Sequence, residues 1–356
     1  MSLYLCADCG GSKTSVVICD AQGKVVGRAL GGPSNFAYLS LDAFLSAVEE
    51  AVTSALKIAA SSLPSANLAI LPPPGETPFA AAWFGVSGVD SPAAIATITP
   101  ELSKLLKIPA GPRLAIANDT HLLAAPVRQH GDISHAVAVI SGTGSIAVSF
   151  RETETGLEEL GRIGGWGWML GDEGGGFSVG RETIRHILLE HDKSSVTGEK
   201  VKSVLQDRVL ARFGVTDVME LLTIIHIQDP QSGVVLPQSA PLHLSQRREK
   251  RLSDLCPLVF TAAFEDGDPL ALTILKSAAA QLTEEIAVLL GDGSGRTVKP
   301  QDAVISFGGS LAGIEAYRQI ILDGLAQMGH VFRYVSFVDD AAATGATGLV
   351  AAHVKP

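Results

Sequence analysis

The sequence predicts an α/β protein of two lobes with a cleft between them. Three observations carry that expectation. The length of 356 residues exceeds one ordinary core and suits two. Strands alternate with helices through the first third of the chain, which implies parallel strand pairing. A strand, glycine turn, strand pattern opens the chain and returns at residues 136–150, as in a duplicated lobe.

The elements follow in order. Residues 3–8, 14–19 and 24–30 are short apolar and β-branched runs divided by turn residues, so the chain opens as a three-strand meander. Leu41, Phe44, Leu45, Val48, Val52 and Leu56 recur at three- and four-residue spacing and mark the buried face of a helix. Residues 61–78 are rich in Ser and Pro and read as a surface loop. Ala81 to Val86 reads as a buried strand, 92–106 as a helix, and Arg113 to Ala117 as a second buried strand that ends in Asn118-Asp119 and leads into a helix over 120–129. The remainder after Phe150 reads as mainly helical to about 292, broken by a loop at 228–246. Asp268-Pro269 supplies an N-cap and a Pro at the first helical position ahead of Leu275, Leu282, Ile286 and Leu289. A strand at 303–307, a helix, a strand at 331–337 and a helix from about Asp340 complete the chain.

Composition narrows the function classes. Hydrophobic residues make up 46% and aromatics 5%, so the core is built from small aliphatics. The formal charge of -10 leaves no broad cationic surface for nucleic acid, and the one basic run, Gln246 to Arg251, reads as a solvated helix start. No apolar stretch approaches a membrane span and no basic leader precedes the first strand, so the expected home is the cytoplasm, without membrane partners. Cys6-Ala-Asp-Cys9 has a CxxC spacing, but strand alternation sends its two thiols to opposite faces; with Cys19 and Cys256 they read as reduced core residues.

Four glycine-rich turns, each read as following an apolar strand, carry the chemistry: Asp8 to Thr14, Ser141 to Ser145, Gly164 to Gly167, and Ser306 to Ser310. Glycine lets backbone amides approach an anion closely, and a run of amides forms a concave site for phosphate oxygens. Any one of these turns is also an ordinary hairpin turn; four in one chain, each with Ser or Thr hydroxyls or carboxylates close by, point to a polyphosphate. Neither GxxxxGK[ST] nor a helix-opening GxGxxG is present, and the first glycine turn joins two strands.

Read together, DCGGSKT at 8–14, PSN at 33–35, GVSG at 85–88, ND at 118–119, SGTGS at 141–145, GGWGWMLGDEGGG at 164–176 and GGS at 308–310 span nearly the whole chain. In this order they resemble the N-acetylglucosamine kinase branch of the actin, Hsp70 and sugar kinase superfamily, which shares its fold with the BadF/BadG/BcrA/BcrD ATPases. The resemblance implies two actin-like (ribonuclease H-like) lobes, residues 1–117 and 118–356, each a mixed five-stranded sheet flanked by helices, with an ATP and sugar cleft between them; packing of the last helix back on the first lobe stays open.

The resemblance further implies ATP-dependent phosphorylation of N-acetylglucosamine at its 6-hydroxyl, with Asp119 as the base. One carboxylate at a strand's C-terminal end meets that need, although an Asp there can also simply cap the following helix. By position, Asn35, Ser87, Asp119, Thr143, Gly144, Trp166, Gly167 and Asp172 resemble the family's sugar contacts. Asn and Asp can bind adjacent hydroxyls, and a Trp face can cover the apolar side of a pyranose. Asp8, Gly10, Gly11, Ser12 and Lys13 correspond to residues that hold the β- and γ-phosphates, with Asp8 reaching Mg2+ through water. Thr143 and Ser145 correspond to the second phosphate hairpin, and Gly308, Gly309 and Ser310 to the border of the adenosine. Cys9 stands where the family has glycine, which puts the positive φ of the first loop in question.

Rival readings are a kinase for glucosamine or N-acetylmannosamine, a sugar sensor without turnover, and a BadF-type ATPase. The iron-sulfur activators among those ATPases need cysteine ligands between subunits, and only Cys256 lies beyond the first hairpin. A sugar-responsive repressor needs an N-terminal helix-turn-helix that this chain lacks. The implied partners are an amino sugar and ATP, with a homodimer left open.

Overall fold

A computed structural model of the chain describes residues 2–11, 13–61, 70–154, 156–199, 201–231, 237 and 239–354. β1 (Leu3–Cys9), β2 (Thr14–Cys19) and β3 (Val25–Gly31) form an antiparallel meander, and β4 (Phe79–Val86) and β5 (Leu114–Ala117) add to β1 in parallel, giving the order β3-β2-β1-β4-β5. The second sheet repeats this plan. β6 (His135–Ser141), β7 (Ser145–Thr153) and β8 (Gly156–Gly164) are the meander, β9 (Ala303–Gly308) and β10 (Tyr334–Phe337) the parallel additions. The repetition expected from the two glycine turns therefore extends to whole sheets of five strands each.

β1 is buried on both faces, as the central strand of such a sheet must be. Cys9 faces a core formed with α1 (Leu41–Ser61) and α2 (Pro92–Leu106), and Cys6 faces the opposite core with α12 (Ala341–His353). Strand alternation thus separates the two thiols, and all four cysteines are free and buried. The apolar spacing of α1 buries Phe44, Val48, Val52 and Leu56 against the meander. β3 approaches so closely that a Cβ on Gly27 would lie 2.4 Å from the Ala55 carbonyl oxygen, so only glycine fits there. α2 starts at Ser91, whose hydroxyl accepts from the Ala94 amide at 3.2 Å, with Pro92 at the first helical position. α12 packs on β1, where a Cβ on Gly345 would meet Cys6 Sγ at 2.4 Å.

In the second lobe, α4 (Gly176–Thr197), α5 (Val204–Phe213), α9 (Cys256–Phe264), α10 (Pro269–Val288) and α11 (Glu315–Gln327) bury a common core against the sheet. Asp268 caps two of them at once. Its Oδ1 accepts from Leu270 and Ala271 at the start of α10, and its Oδ2 from Ser203 and Leu205 at the start of α5.

The structure corrects four expectations. Residues 156–164, read as part of a mainly helical remainder, are strand β8, an edge strand whose mixed polar face hides its period. The segment 228–246, read as a loop, includes a turn of helix, α7 (Leu242–Ser245), preceded by α6 (Glu220–His226); residues 232–236 and 238 lie outside the described residues, as does 62–69 of the other long loop. The basic run is not wholly solvated. Arg251, on α8 (Arg248–Ser253), is 1% exposed and donates to the carbonyls of His243, Gln246, Ile224, Ile227 and Gln228, closing this region. Finally, the strand expected at 331–337 pairs only from Tyr334.

Candidate active site

The first group of site residues gathers where β1, β4 and β5 end. Asp8 lies opposite Ser15 of β2 and Gly85 of β4. The hairpin closes with the Gly10 amide on the Lys13 carbonyl at 3.0 Å. Cys9 belongs to β1 proper and is paired with Thr14, so the positive φ in question for the first loop is not asked of it. Ser12 lies outside the described residues.

Loops from other strands are laced onto this hairpin. The Ser34 amide donates to the Gly10 carbonyl at 2.9 Å, the Phe36 amide to the Ser87 carbonyl at 2.9 Å, and the Ser87 amide to the Cys9 carbonyl at 2.9 Å. The Thr14 and Ser34 hydroxyls bond each other at 2.6 Å. Asn35 is thereby fixed between two glycines, its Nδ2 4.0 Å from where a Cβ of Gly11 would stand and its Oδ1 2.6 Å from the same position at Gly88. A side chain at Gly88 would expel it, and Gly88 also has a φ of +82°.

Asp119 sits just past β5, at the start of α3 (Thr120–Leu123), and its side chain makes no capping bond there. Asn118 takes that duty, its Oδ1 accepting the Thr120 amide at 3.0 Å and hydroxyl at 2.8 Å. The Asp119 carboxylate turns instead to Ser87, whose hydroxyl donates to Oδ2. Burial raises the Asp119 carboxyl above its ordinary range, and the Ser87 hydrogen bond opposes the rise. Burial likewise pushes Asp8 up to about 6, with the Asp119 charge adding to the rise and Lys13 opposing it.

The second group forms on the other lobe. The loop between β6 and β7 receives the start of α4: the Gly176 amide donates to the Gly142 carbonyl at 2.8 Å and the Phe177 amide to the Thr143 carbonyl at 3.1 Å. Ser145 donates its hydroxyl to the Glu173 carbonyl at 2.7 Å, and its amide points at Asp172 Oδ1 at 3.4 Å. Asp172 adopts a φ of +62° and is raised by burial. Its carboxylate lies so close to Gly144 that a Cβ there would be 2.7 Å from Oδ2. Trp166 and Gly167 occupy the turn ahead of Asp172; the Trp166 ring lies against Gly171 and is 57% exposed. Gly308, Gly309 and Ser310 abut the same loop, with the Leu311 and Ala312 amides on the Ser141 carbonyl at 2.9 and 3.1 Å.

A polar chain joins the groups. Arg162 of β8 has Nη2 3.1 Å from the Cβ position of Gly165 and Nη1 3.4 Å from Asp90 Oδ1, which accepts Asn118 Nδ2 at 2.9 Å. It runs from the turn before Trp166 to the residue before Asp119. Sequence reasoning missed Asp90 and Arg162, because long-range pairing leaves no local spacing to read, and it missed the local cap made by Asn118 because the neighbouring Asp119 is an equally good capping residue type.

The structure also permits a test for Mg2+. Among the described residues nothing donates a hydrogen bond to the Asp8 carboxylate, although it is largely desolvated and has Asp119 as a charged neighbour. A hydrated divalent cation fits such a site. No group of three or more His, Cys, Asp or Glu close enough to hold a metal occurs among the described residues, so phosphate and water would complete the coordination. Among those residues no helix is long and apolar enough to cross a membrane.

The model of the BadF/BadG/BcrA/BcrD ATPase family matches residues 7–350. The chain is 25% identical over 244 residues to N-acetyl-D-glucosamine kinase of Dictyostelium discoideum, covering 68% of this chain and 70% of that protein. It is 26% identical over 283 residues to N-acetylmuramic acid/N-acetylglucosamine kinase of Clostridium acetobutylicum, covering 79% and 77%. The crystal structure of a candidate N-acetylglucosamine kinase from Porphyromonas gingivalis superimposes with a TM-score of 0.60 at 22% identity over 99% of this chain and 98% of that one. A ROK hexokinase from Thermus thermophilus follows with 0.51 at 16% over 98% of each. These structural likenesses establish the fold.

Proposed function

The chain belongs to the BadF/BadG/BcrA/BcrD ATPase family, and from that premise we propose that it transfers the γ-phosphoryl group of ATP to the 6-hydroxyl of N-acetylglucosamine, giving N-acetylglucosamine 6-phosphate and ADP in the cytoplasm. The observation that carries the reading is the Asp119 carboxylate: it is relieved of helix capping by Asn118 and turned toward Ser87. Asp119 takes the hydroxyl proton as the sugar oxygen forms its bond to the γ-phosphorus and the bond to ADP breaks.

Asn35, Ser87, Thr143, Gly144, Trp166, Gly167 and Asp172 orient the sugar. The backbone amides of the hairpins at Gly10 to Lys13 and Thr143 to Ser145 receive phosphate oxygens, and Gly308 to Ser310 border the nucleoside. Mg2+, when bound near Asp8 through water, supplies neutralisation of the phosphate charge. Burial of Asp8 and Asp119 suits a cleft from which water is displaced on closure, so that the hydroxyl competes with no bulk nucleophile.

The test is ADP release with Mg-ATP and a panel of N-acetylglucosamine, N-acetylmuramic acid, N-acetylmannosamine, glucosamine and glucose. N-acetylmuramic acid enters because the Clostridium acetobutylicum relative carries it in its name. A strong preference for N-acetylglucosamine supports the proposal. Release that no sugar stimulates replaces it with an ATPase or a silent sensor.

A further inference from the structure

The loop that carries Asp172 is held by its carbonyl groups. The Glu173 carbonyl accepts the Ser145 hydroxyl at 2.7 Å and the Gly176 carbonyl accepts the Cys256 thiol at 3.2 Å. The Gly174 carbonyl accepts two hydroxyls, Ser141 at 2.8 Å and Tyr317 at 2.9 Å. All four donors are buried. Burial pushes the Tyr317 hydroxyl far up, so it keeps the proton it donates.

Tyr317 comes from a distant part of the chain and touches neither substrate in the reading above. It stands in the first turn of α11, the helix that follows Gly308 to Ser310. The connection is short and hydrogen-bonded throughout: the Gly313 amide meets the Gly309 carbonyl, the Ile314 amide the Leu311 carbonyl, and the Tyr317 amide the Ile314 carbonyl, each at 3.0 Å. The Tyr317 ring packs edge-on to Phe260 at 5.3 Å, which aims its hydroxyl. Ser141 stands at the same junction, since its carbonyl accepts the Leu311 and Ala312 amides while its hydroxyl donates to Gly174. The phosphate, nucleoside and sugar loops therefore meet at one carbonyl oxygen.

That oxygen secures a costly conformation. Asp172 holds a φ of +62°, which a non-glycine residue keeps only where its surroundings over-determine it. The Gly175 amide closes a turn on the Asp172 carbonyl at 3.0 Å, with Gly174 inside the turn, so a shift at Gly174 reaches Asp172 directly. We propose that Tyr317 is a positioning residue that couples nucleotide to sugar. A nucleotide seated on Gly308 to Ser310 steadies the segment leading to Tyr317, whose hydroxyl fixes Gly174 and, through the turn, Asp172. The inference rests on the reading of Gly308 to Ser310 as the nucleoside border. Ordering of the loop by one ligand spares the other that cost, so each tightens the other by the same factor.

The experiment compares the full chain with Tyr317→Phe, which removes the hydroxyl and keeps the ring. The amides of Gly175, Gly176 and Phe177, bonded to Asp172, Gly142 and Thr143, report on the loop by hydrogen exchange. Without sugar, saturating adenylyl imidodiphosphate and Mg2+ are expected to slow them about fivefold in the wild type and not at all in Tyr317→Phe. Ser141→Ala, which leaves Tyr317 on Gly174, should keep the response, and decides the matter if Tyr317→Phe does not fold. Thr283→Val, which removes a buried hydroxyl bonded to Ala279 of its own helix, controls for general loosening and should keep it too. In equilibrium binding the analogue tightens N-acetylglucosamine about fivefold in the wild type, the sugar tightens the analogue equally, and Tyr317→Phe brings both factors close to one. A merely structural role would lower the melting temperature and leave those factors unchanged. Wild-type amides that ignore the nucleotide, a response that survives Tyr317→Phe, or one lost in Ser141→Ala or Thr283→Val overturns the proposal. The exchange arm uses nucleotide alone. A response that survives Tyr317→Phe in a protein with full sugar phosphotransfer removes the coupling and keeps the kinase, whereas a Tyr317-dependent response without sugar phosphotransfer keeps the link to the loop and removes the sugar reading.

Discussion

The Ser87 hydroxyl donates to the Asp119 carboxylate, tying the loop after β4 to the end of β5. The bond favours the ionised form, which is the form a proton acceptor needs, against a burial that favours the protonated one.

Removal of Asp119 and removal of Ser87 are therefore expected to differ in kind. Asp119→Asn keeps the shape and loses the base, so kcat falls about 10²- to 10⁴-fold while sugar and ATP still bind. Ser87→Ala leaves the base but withdraws its hydrogen bond, for a loss of about tenfold. The acidic limb of its kcat/KM profile moves to higher pH, because the hydrogen bond that lowered the Asp119 pKa is gone. A Ser87→Ala profile that overlays the wild type would show that the bond does not tune the base.

Asp8 couples function to stability. Folded Asp8 keeps its proton up to about pH 6, whereas an unfolded carboxyl releases it near 3.8. Between these values the folded chain carries more protons, so its stability falls as pH rises through the window and the deficit persists above it. Asn cannot ionise. Without Mg2+ or nucleotide, Asp8→Asn is thus expected to melt above the wild type at pH 7.5, by at most about 3 kcal/mol of added stability, and to match it below pH 4, while losing activity. Equal melting temperatures at pH 7.5 would mean that Asp8 is solvated enough to ionise freely.

The contact between Gly144 and Asp172 separates position from mere flexibility. An alanine methyl at 144 would stand 2.7 Å from Asp172 Oδ2, whereas one at Gly142 would meet nothing nearer than 3.8 Å. Gly144→Ala is expected to displace the Asp172 carboxylate and raise sugar KM about ten- to a hundredfold. Gly142→Ala should leave sugar KM nearly unchanged. Steady-state kinetics on the two variants decide it, and equal effects would point to loop entropy instead.

The fold was legible wherever burial imposed a period. The runs at β2 and β9 are buried along their whole length and those at β1 and β4 at all but one position each, and apolar residues at such density leave few alternatives to a strand. β8 hid because Glu158, Glu159 and Arg162 are exposed on an edge strand, so what makes it a strand is its pairing with β7, which no local spacing records. The site shows the same division. The glycine turns announce themselves, since close backbone approach excludes other residues, but Asp90, Asn118 and Arg162 meet only through folding. Arg251 reads as one more charge in a basic run, and its five carbonyl partners come from α6, α7 and the residues that follow each, contacts that no local spacing records.

Trp166 offers the most direct optical test. Its ring is 57% exposed, whereas Trp83 is 3% exposed and Trp168 packs edge-on to Phe177 at a ring separation of 5.2 Å. Truncation at 166 removes little buried area, so Trp166→Ala is expected to change unfolding free energy by no more than about 0.5 kcal/mol. A sugar seated on the ring would cover it, and the loss of that stacking raises sugar KM roughly tenfold. Titration of the wild type with N-acetylglucosamine should therefore alter tryptophan emission, and Trp166→Phe, which keeps a stacking face, should bind the sugar with most of that change gone. An emission change that persists in Trp166→Phe would assign it to Trp168, the partly buried ring beside the start of α4, and would move the sugar away from the exposed turn.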